Sequence, residues 1–225
     1  LGGAGDDTLD GGAGDDAMSG GAGNDIYVVD STSDTITESS SEGTDLIQSS
    51  VTFTASDNVE NLTLTGSNNI NATGNSLDNK LTGNDGDNIL KGDAGNDTIK
   101  GGDGIDTAIF SGHKSQYSIT ETGYAQYQVV DNEGTDGADT LKNIEKLRFS
   151  DKELDIIPSF TNRSTLQTAV DAWIDDQDAA KETYGDINKW DVSQITDFSE
   201  LFKDKTSFDS DIRNWDVSNG TDFSY

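Results

Sequence analysis

The sequence predicts a mainly β chain of 225 residues: a thin parallel solenoid closed by a β-strand cap, then one helix and the start of a second solenoid. Three observations carry that prediction. A nine-residue glycine–aspartate phrase repeats in two blocks, and short β-branched runs of alternating polarity lie between and after them. A 25-residue period then follows a helical stretch near the C-terminus.

Charge sets the class of partner. The chain carries 43 acidic against 14 basic residues, a net charge of -29. No Lys or Arg precedes Lys80, yet residues 1–79 hold 14 acidic side chains. Nucleic-acid and anionic-membrane binders need basic patches, so both are excluded as partners; a multivalent cation fits. The absence of cysteine removes disulfides, thiolate metal sites and cysteine nucleophiles. No apolar run is long enough to span a bilayer, so no membrane insertion is expected. Leu1 opens no signal peptide, and the chain reads as a piece of something longer.

The first block, residues 1–30, contains "GGAGDDTLD", "GGAGDDAMS" and "GGAGNDIYV". Each unit has glycine at places one, two and four, aspartate at place six, and a large residue at place eight: Leu9, Met18 and Tyr27. Glycine loses more backbone freedom on folding than other residues, and stacked aspartates repel, so a partner must offset both. The turn residues can take left-handed angles and aim carbonyls inward, while three strand residues carry one inward apolar side chain. Two units make one coil, so each unit stacks on the next but one. Parallel strands lie about 4.7–4.9 Å apart, a gap that one calcium ion bridges with oxygens at about 2.3–2.6 Å. Carboxylates mixed with carbonyls in a flexible cage suit calcium better than magnesium or zinc.

The string "GGAGDDTLD" resembles the GGxGxDxUx nonapeptide of RTX (repeats-in-toxin) proteins. The resemblance implies a parallel β-roll around rows of calcium ions, in a protein secreted by a Gram-negative bacterium through type I secretion or held at its cell surface. It implies carboxylate ligands at Asp7, Asp16 and Asp25. Carbonyl ligands would come from Gly2, Gly3, Ala4 and Gly5, from Gly11, Gly12, Ala13 and Gly14, and from Gly20, Gly21, Ala22 and Gly23. Asp7 and Asp25 share an edge; Asp16 needs a neighbour from before Leu1 or from the next segment.

Residues 31–73 contain "DTIT", "DLIQSSVTFT" and "VENLTLT", which read as strands and turns. They resemble the segments between RTX blocks and are expected to continue the solenoid without calcium. The second block, 74–110, reads "GNSLDNKLT", "GNDGDNILK", "GDAGNDTIK" and "GGDGIDTAI", with Leu81, Leu90, Ile99 and Ala108 at place eight. By resemblance its ligands are Gly83, Asp85, Asn88, Gly92, Ala94, Gly95, Asp97, Gly101, Gly102, Asp103, Gly104 and Asp106. Asn79 and Asn88 stand at place six, so the same-edge pairs Asn79–Asp97 and Asn88–Asp106 have each lost one charge and should bind more weakly. Asn75, Asn84 and Asp93 replace the second glycine; these residue types tolerate left-handed angles better than most.

Residues 111–157 read as a β-rich cap, with strands at "YSIT", "YQVV" and "EKLRF". The run "DGADTLKNIEKLRFSD" resembles the flank that follows RTX repeats and would close the open end of the roll. Pro158 marks a boundary, and residues 158–225 begin with a helix. A capping box of Ser164 and Gln167 starts it; Leu166, Val170, Trp173 and Ile174 share a face, and Gly185 suits its end. The 25-residue period then pairs Ile187 with Ile212, Trp190 with Trp215, Val192 with Val217 and Phe198 with Phe223. "WDVSQITDFS" and "WDVSNGTDFS" resemble the BspA-type leucine-rich-like surface repeat (DUF285), which implies a stacked solenoid and a protein or cell-surface ligand. Gly220 stands in the place of Ile195 and weakens one core position, and stable stacking should need residues beyond Tyr225. The tryptophans read as core.

No catalytic constellation is recognisable, and the chain is expected not to be an enzyme. His113 is the one histidine, in a polar turn, and neither HExxH nor GxSxG occurs. "NDGDN" lacks the closing glutamate of an EF-hand. The expected function is a calcium-binding, calcium-dependent folding module of a secreted or cell-surface protein, structural or adhesive. The alternative is the C-terminal secretion and stabilisation region of a secreted protease, lipase or epimerase with its catalytic domain upstream.

Overall fold

The computed structural model describes residues 1–156, 160 and 162–224. The chain divides into two units, Leu1–Ile156 and Ile157–Tyr225; the boundary expected at Pro158 lies outside the described residues.

In the first unit alternate repeats feed two sheets. Strands Thr8–Asp10, Ile26–Val29, Leu46–Ser49, Asn61–Leu64, Lys80–Thr82, Thr98–Lys100 and Ala138–Lys142 lie parallel in one. Phe53–Thr54, Ala72–Thr73, Ile89–Lys91, Thr107–Ile109 and Lys146–Arg148 lie parallel in the other. Ala17–Met18 and Thr35–Ile36 form a separate parallel pair. Within a repeat block the register advances by 18 residues, Thr8 to Ile26 and Lys80 to Thr98, which is two nonapeptides per coil. The connecting segment continues the same sheet with uneven steps, Ile26 to Leu46, Leu46 to Asn61 and Asn61 to Lys80.

Strand alternation puts the middle residue of each short strand inside. Leu9, Tyr27, Ile47, Leu62, Leu81, Ile99 and Leu141 therefore stack in one buried row through direct register. Phe53, Ala72, Leu90, Ala108 and Leu147 stack in a second. Burying a leucine or isoleucine contributes about 1.5–3 kcal/mol, so the rows offset much of the ordering entropy of the thin coil.

The flank "DGADTLKNIEKLRFSD" is itself a coil, because Leu141 stacks on Ile99 and Leu147 on Ala108. Closure comes from antiparallel strands instead. The hairpin Tyr117–Gly123/Gln126–Asp131 adds to one sheet and Glu153–Asp155 to the other. Phe110, Tyr117 and Phe149 pack there with ring centroids 5.0–5.3 Å apart.

In the second unit the helical stretch is interrupted. Helices α1 (Arg163–Asp175) and α2 (Gln177–Tyr184) meet at Asp176, whose extended backbone stops the first and whose carboxylate caps the second by accepting from Ala179 N. The expected Ser164 capping box is not the start; Asn162 is the cap, and its side-chain oxygen accepts from Thr165 N at 2.9 Å. Gln167 instead donates to Asp171 Oδ1 and Leu201 O. Leu166, Ala169, Val170 and Trp173 are buried, and Gly185 caps α2 at φ 71°.

The 25-residue units stack as the period requires. The Trp190 and Trp215 rings lie 6.1 Å apart and Phe198 and Phe223 5.2 Å apart, both stacked. Asp197 bridges Asp222, and Phe198 N donates to Asp222 O. Trp215 Nε1 donates to Ile187 O at 2.7 Å, so both tryptophans are core. At Gly220 a Cβ would run into the Phe223 ring, which occupies the space that a side chain like Ile195 would need. Among the described residues no helix is long and apolar enough to cross a membrane.

Candidate metal centre

Place one and place six of each repeat meet. A Cβ on Gly2 would lie 2.7 Å from Asp7 Oδ2, and one on Gly11 2.7 Å from Asp16 Oδ2. Gly20 stands in the same way against Asp25, Gly92 against Asp97 and Gly101 against Asp106. The first glycine is there for space, so that the carboxylate can fold back over the turn. The second and fourth supply the conformation: Gly3, Gly5, Gly21 and Gly23 all have φ between 97° and 138°.

The backbone N–H at place six donates to a carboxylate of the neighbouring coil. Asp7 N donates to Asp25 Oδ1 at 2.7 Å, Asp16 N to Asp34 Oδ1 at 2.9 Å and Asn88 N to Asp106 Oδ1 at 2.8 Å. The neighbour that Asp16 needs thus comes from the connecting segment. The ladder runs on through Asp25 N to Asp45 Oδ1, Asp45 N to Glu60 Oε2, Asp97 N to Asp139 Oδ1 and Asp106 N to Glu145 Oε2. The second oxygens of Asp16, Asp25 and Asp97 are buried and accept no hydrogen bond. A buried carboxylate oxygen without a donor is costly, and a hard cation relieves it.

Electrostatics point the same way. Burial, helped by nearby Asp78 and Asp93, pushes the Asp97 carboxyl up to about 6. Burial pushes Asp139, beside Asp97, up to about 8. Both are held against their charged forms unless a positive charge is supplied. Lys91 pairs with Asp93 in the same repeat as Asp97, and other ion pairs lie elsewhere, as at Lys146–Asp155 and Lys205–Asp171.

Asparagines reverse the chemistry in the first two units of the second block. Asn79 Nδ2 donates to Val59 O and Glu60 O, and Asn75 Nδ2 donates to Ser56 O and Val59 O. Asn84 Nδ2 reaches Thr65 O and Asn68 O, and Asn88 Nδ2 reaches Ile70 O at 2.6 Å. These N–H groups satisfy carbonyls of the coil before. Asp93 takes the left-handed angle of the glycine it replaces, at φ 69°, while Asn75 and Asn84 keep negative φ and act through their amides.

Of the other expected ligands, Asp85 is exposed and Asp103 half-buried. The reading of the repeats missed two sets. Place five forms a second ladder: Asn24 N donates to Asp6 Oδ1, Asn96 N to Asp78 Oδ1 and Ile105 N to Asp87 Oδ1, each across 18 residues. Its signal was present, since six of seven repeats have Asp or Asn there. The other set is Asp34, Asp45, Glu60, Asp139 and Glu145. Each stands two residues before an inward residue, Ile36, Ile47, Leu62, Leu141 and Leu147, the same spacing as places six and eight without the glycines.

His113 lies 3.6 Å from Asp151 with a largely exposed side chain. It takes no part in these ladders.

The donor set fits calcium: carboxylate oxygens fixed at one end and open at the other, over glycine turns whose cradle a Cβ would fill. The family model described as "RTX calcium-binding nonapeptide repeat (4 copies)" matches residues 1–36 and 73–108. The model described as "Mycoplasma protein of unknown function, DUF285" matches residues 159–225. No curated protein is similar enough to be matched with the chain. The chain carries two blocks of RTX calcium-binding nonapeptide repeats in β-solenoid form, followed by a DUF285 segment.

Proposed function

We propose that the chain is a calcium-dependent folding and presentation module of a secreted or cell-surface protein of a Gram-negative bacterium. Its role is structural and adhesive rather than catalytic. The buried, donorless oxygens of Asp16, Asp25 and Asp97 carry this reading, in a sequence that has no basic residue before Lys80. Without calcium these carboxylates repel and the coil does not close, so the chain stays extended and passes through a type I secretion channel. Outside the cell, calcium at or above the roughly 10⁻⁴–10⁻³ M affinity of extracellular modules binds the folded form alone and draws the equilibrium to it. The adhesive part rests on the second unit, where Val217 and Phe223 are apolar and exposed at 40% and 54%.

Small-angle scattering of the full chain tests the reading. The expected result is an expanded profile in chelator that becomes compact at millimolar calcium and not at equal magnesium. An unchanged profile would overturn it.

A further inference from the structure

The connecting segment, read as calcium-free, brings two carboxylates to the end of the first block. Asp25, Glu38 and Asp45 are all buried, and one oxygen from each lies within 4.8 Å of those of the other two. Two oxygens sharing one calcium ion can be at most about 4.6–5.2 Å apart, so the spacing suits a single ion.

Each carboxylate is held at one oxygen. Asp7 N donates to Asp25 Oδ1 at 2.7 Å and Asp25 N to Asp45 Oδ1 at 2.8 Å. Glu38 Oε1 accepts from Gly20 N at 3.1 Å and from the Tyr27 hydroxyl. Asp25 Oδ2 and Glu38 Oε2 remain, fully buried and without a hydrogen bond. Among the described residues no ion pair reaches any of the three, and the sequence supplies no Lys or Arg before residue 80. Three buried carboxylates so close together repel strongly in a medium of low dielectric constant.

We propose that Asp25, Glu38 and Asp45 form a calcium site that joins the first repeat block to the connecting segment. It rests on the calcium reading of the repeats and extends it to residues outside the nonapeptides. The three carboxylates give half of a six-oxygen shell, and their summed charge favours a divalent oxygen-seeking ion. Tyr27 orients Glu38, and Glu38 in turn fixes where the connecting segment leaves the block.

Counting bound calcium on the full chain by equilibrium dialysis, with Glu38→Gln and Asp45→Asn beside the unchanged protein, tests the site. Glutamine keeps the oxygen that accepts from Tyr27 and loses the charge. The expected result is one ion fewer per chain in each variant, with β content at saturating calcium retained. Terbium supplies a second reading that survives a folding defect in either variant. Tyr27 is the one Tyr or Trp among residues 1–116, so it should sensitise terbium emission at this site. Tyr27→Phe should lower that emission severalfold. Unchanged stoichiometry in both carboxylate variants, with emission indifferent to Tyr27→Phe, would overturn this site and leave the repeat sites standing. A protein that binds no calcium at all would overturn the repeat reading and this one with it.

Discussion

Asn79 faces two coils with opposite chemistry: its backbone N–H donates to Asp97 Oδ1 at 2.7 Å, while its side-chain amide donates back to Val59 O and Glu60 O. On the Asp97 side there is an orphaned carboxylate oxygen; on the other side the carbonyls already have donors. The solenoid therefore has a stretch knit by amides between stretches that need a cation.

Hydrogen exchange at sub-saturating calcium should reveal that division. Amides of Asn61–Leu64, Lys80–Thr82 and Ile89–Lys91 should be the most protected of the first unit, and those of Thr8–Asp10 and Ile26–Val29 the least. Asn79→Asp would set a carboxylate against two carbonyls. It should destabilise the folded chain by about 1–3 kcal/mol, measured by urea melts at saturating calcium.

Gly92→Ala should act through Asp97, because the new Cβ would run into the Asp97 carboxylate. Overpacking of this kind costs about 1–3 kcal/mol, and it displaces the oxygen meant for the ion. The calcium midpoint should rise several-fold in calorimetric titration. Asp57→Asn, at an exposed turn, should leave the midpoint where it was.

Proton linkage should be visible at the Asp97–Asp139 pair, whose carboxyls are raised to about 6 and about 8. Raised values mean that the folded calcium-free state binds more protons than the unfolded one, for which aspartate titrates near 3.9. In chelator the folded form should therefore be favoured only as pH falls from about 8 toward 4, seen as a gain of β signal on acidification. Calcium must displace those protons, so its affinity should rise over the same window.

The second unit should not respond to calcium. All three tryptophans lie there, buried against Phe160, Tyr184 and each other. Their emission should stay blue-shifted in chelator while the β signal of the chain changes. Trp190→Ala should remove about 3–5 kcal/mol from the tryptophan-monitored melt.

Much of this was legible from residues alone. Leu9, Tyr27, Leu81 and Ile99 recur at a fixed phase, and that phase predicted the solenoid, its two-repeat coil and its buried row. The Trp190–Trp215 pairing was visible as a period. Three things were hidden by their dependence on neighbours in space. Ser164 and Gln167 match a capping box, but Asn162 sits one position before α1 and takes the role. Asn79 reads as a weakened aspartate until its amide is seen on the carbonyls of Val59 and Glu60. Glu38 lies in a serine-rich run without repeat phase, and only the folded path brings it to Asp25.

Far-UV circular dichroism of the full chain, titrated with calcium from chelator and with magnesium as control, tests the central claim most directly. A cooperative gain of β signal with calcium and none with magnesium is the predicted result. A full β signal already present in chelator and unchanged by calcium would contradict the account, because the buried carboxylates would then be accommodated without any ion.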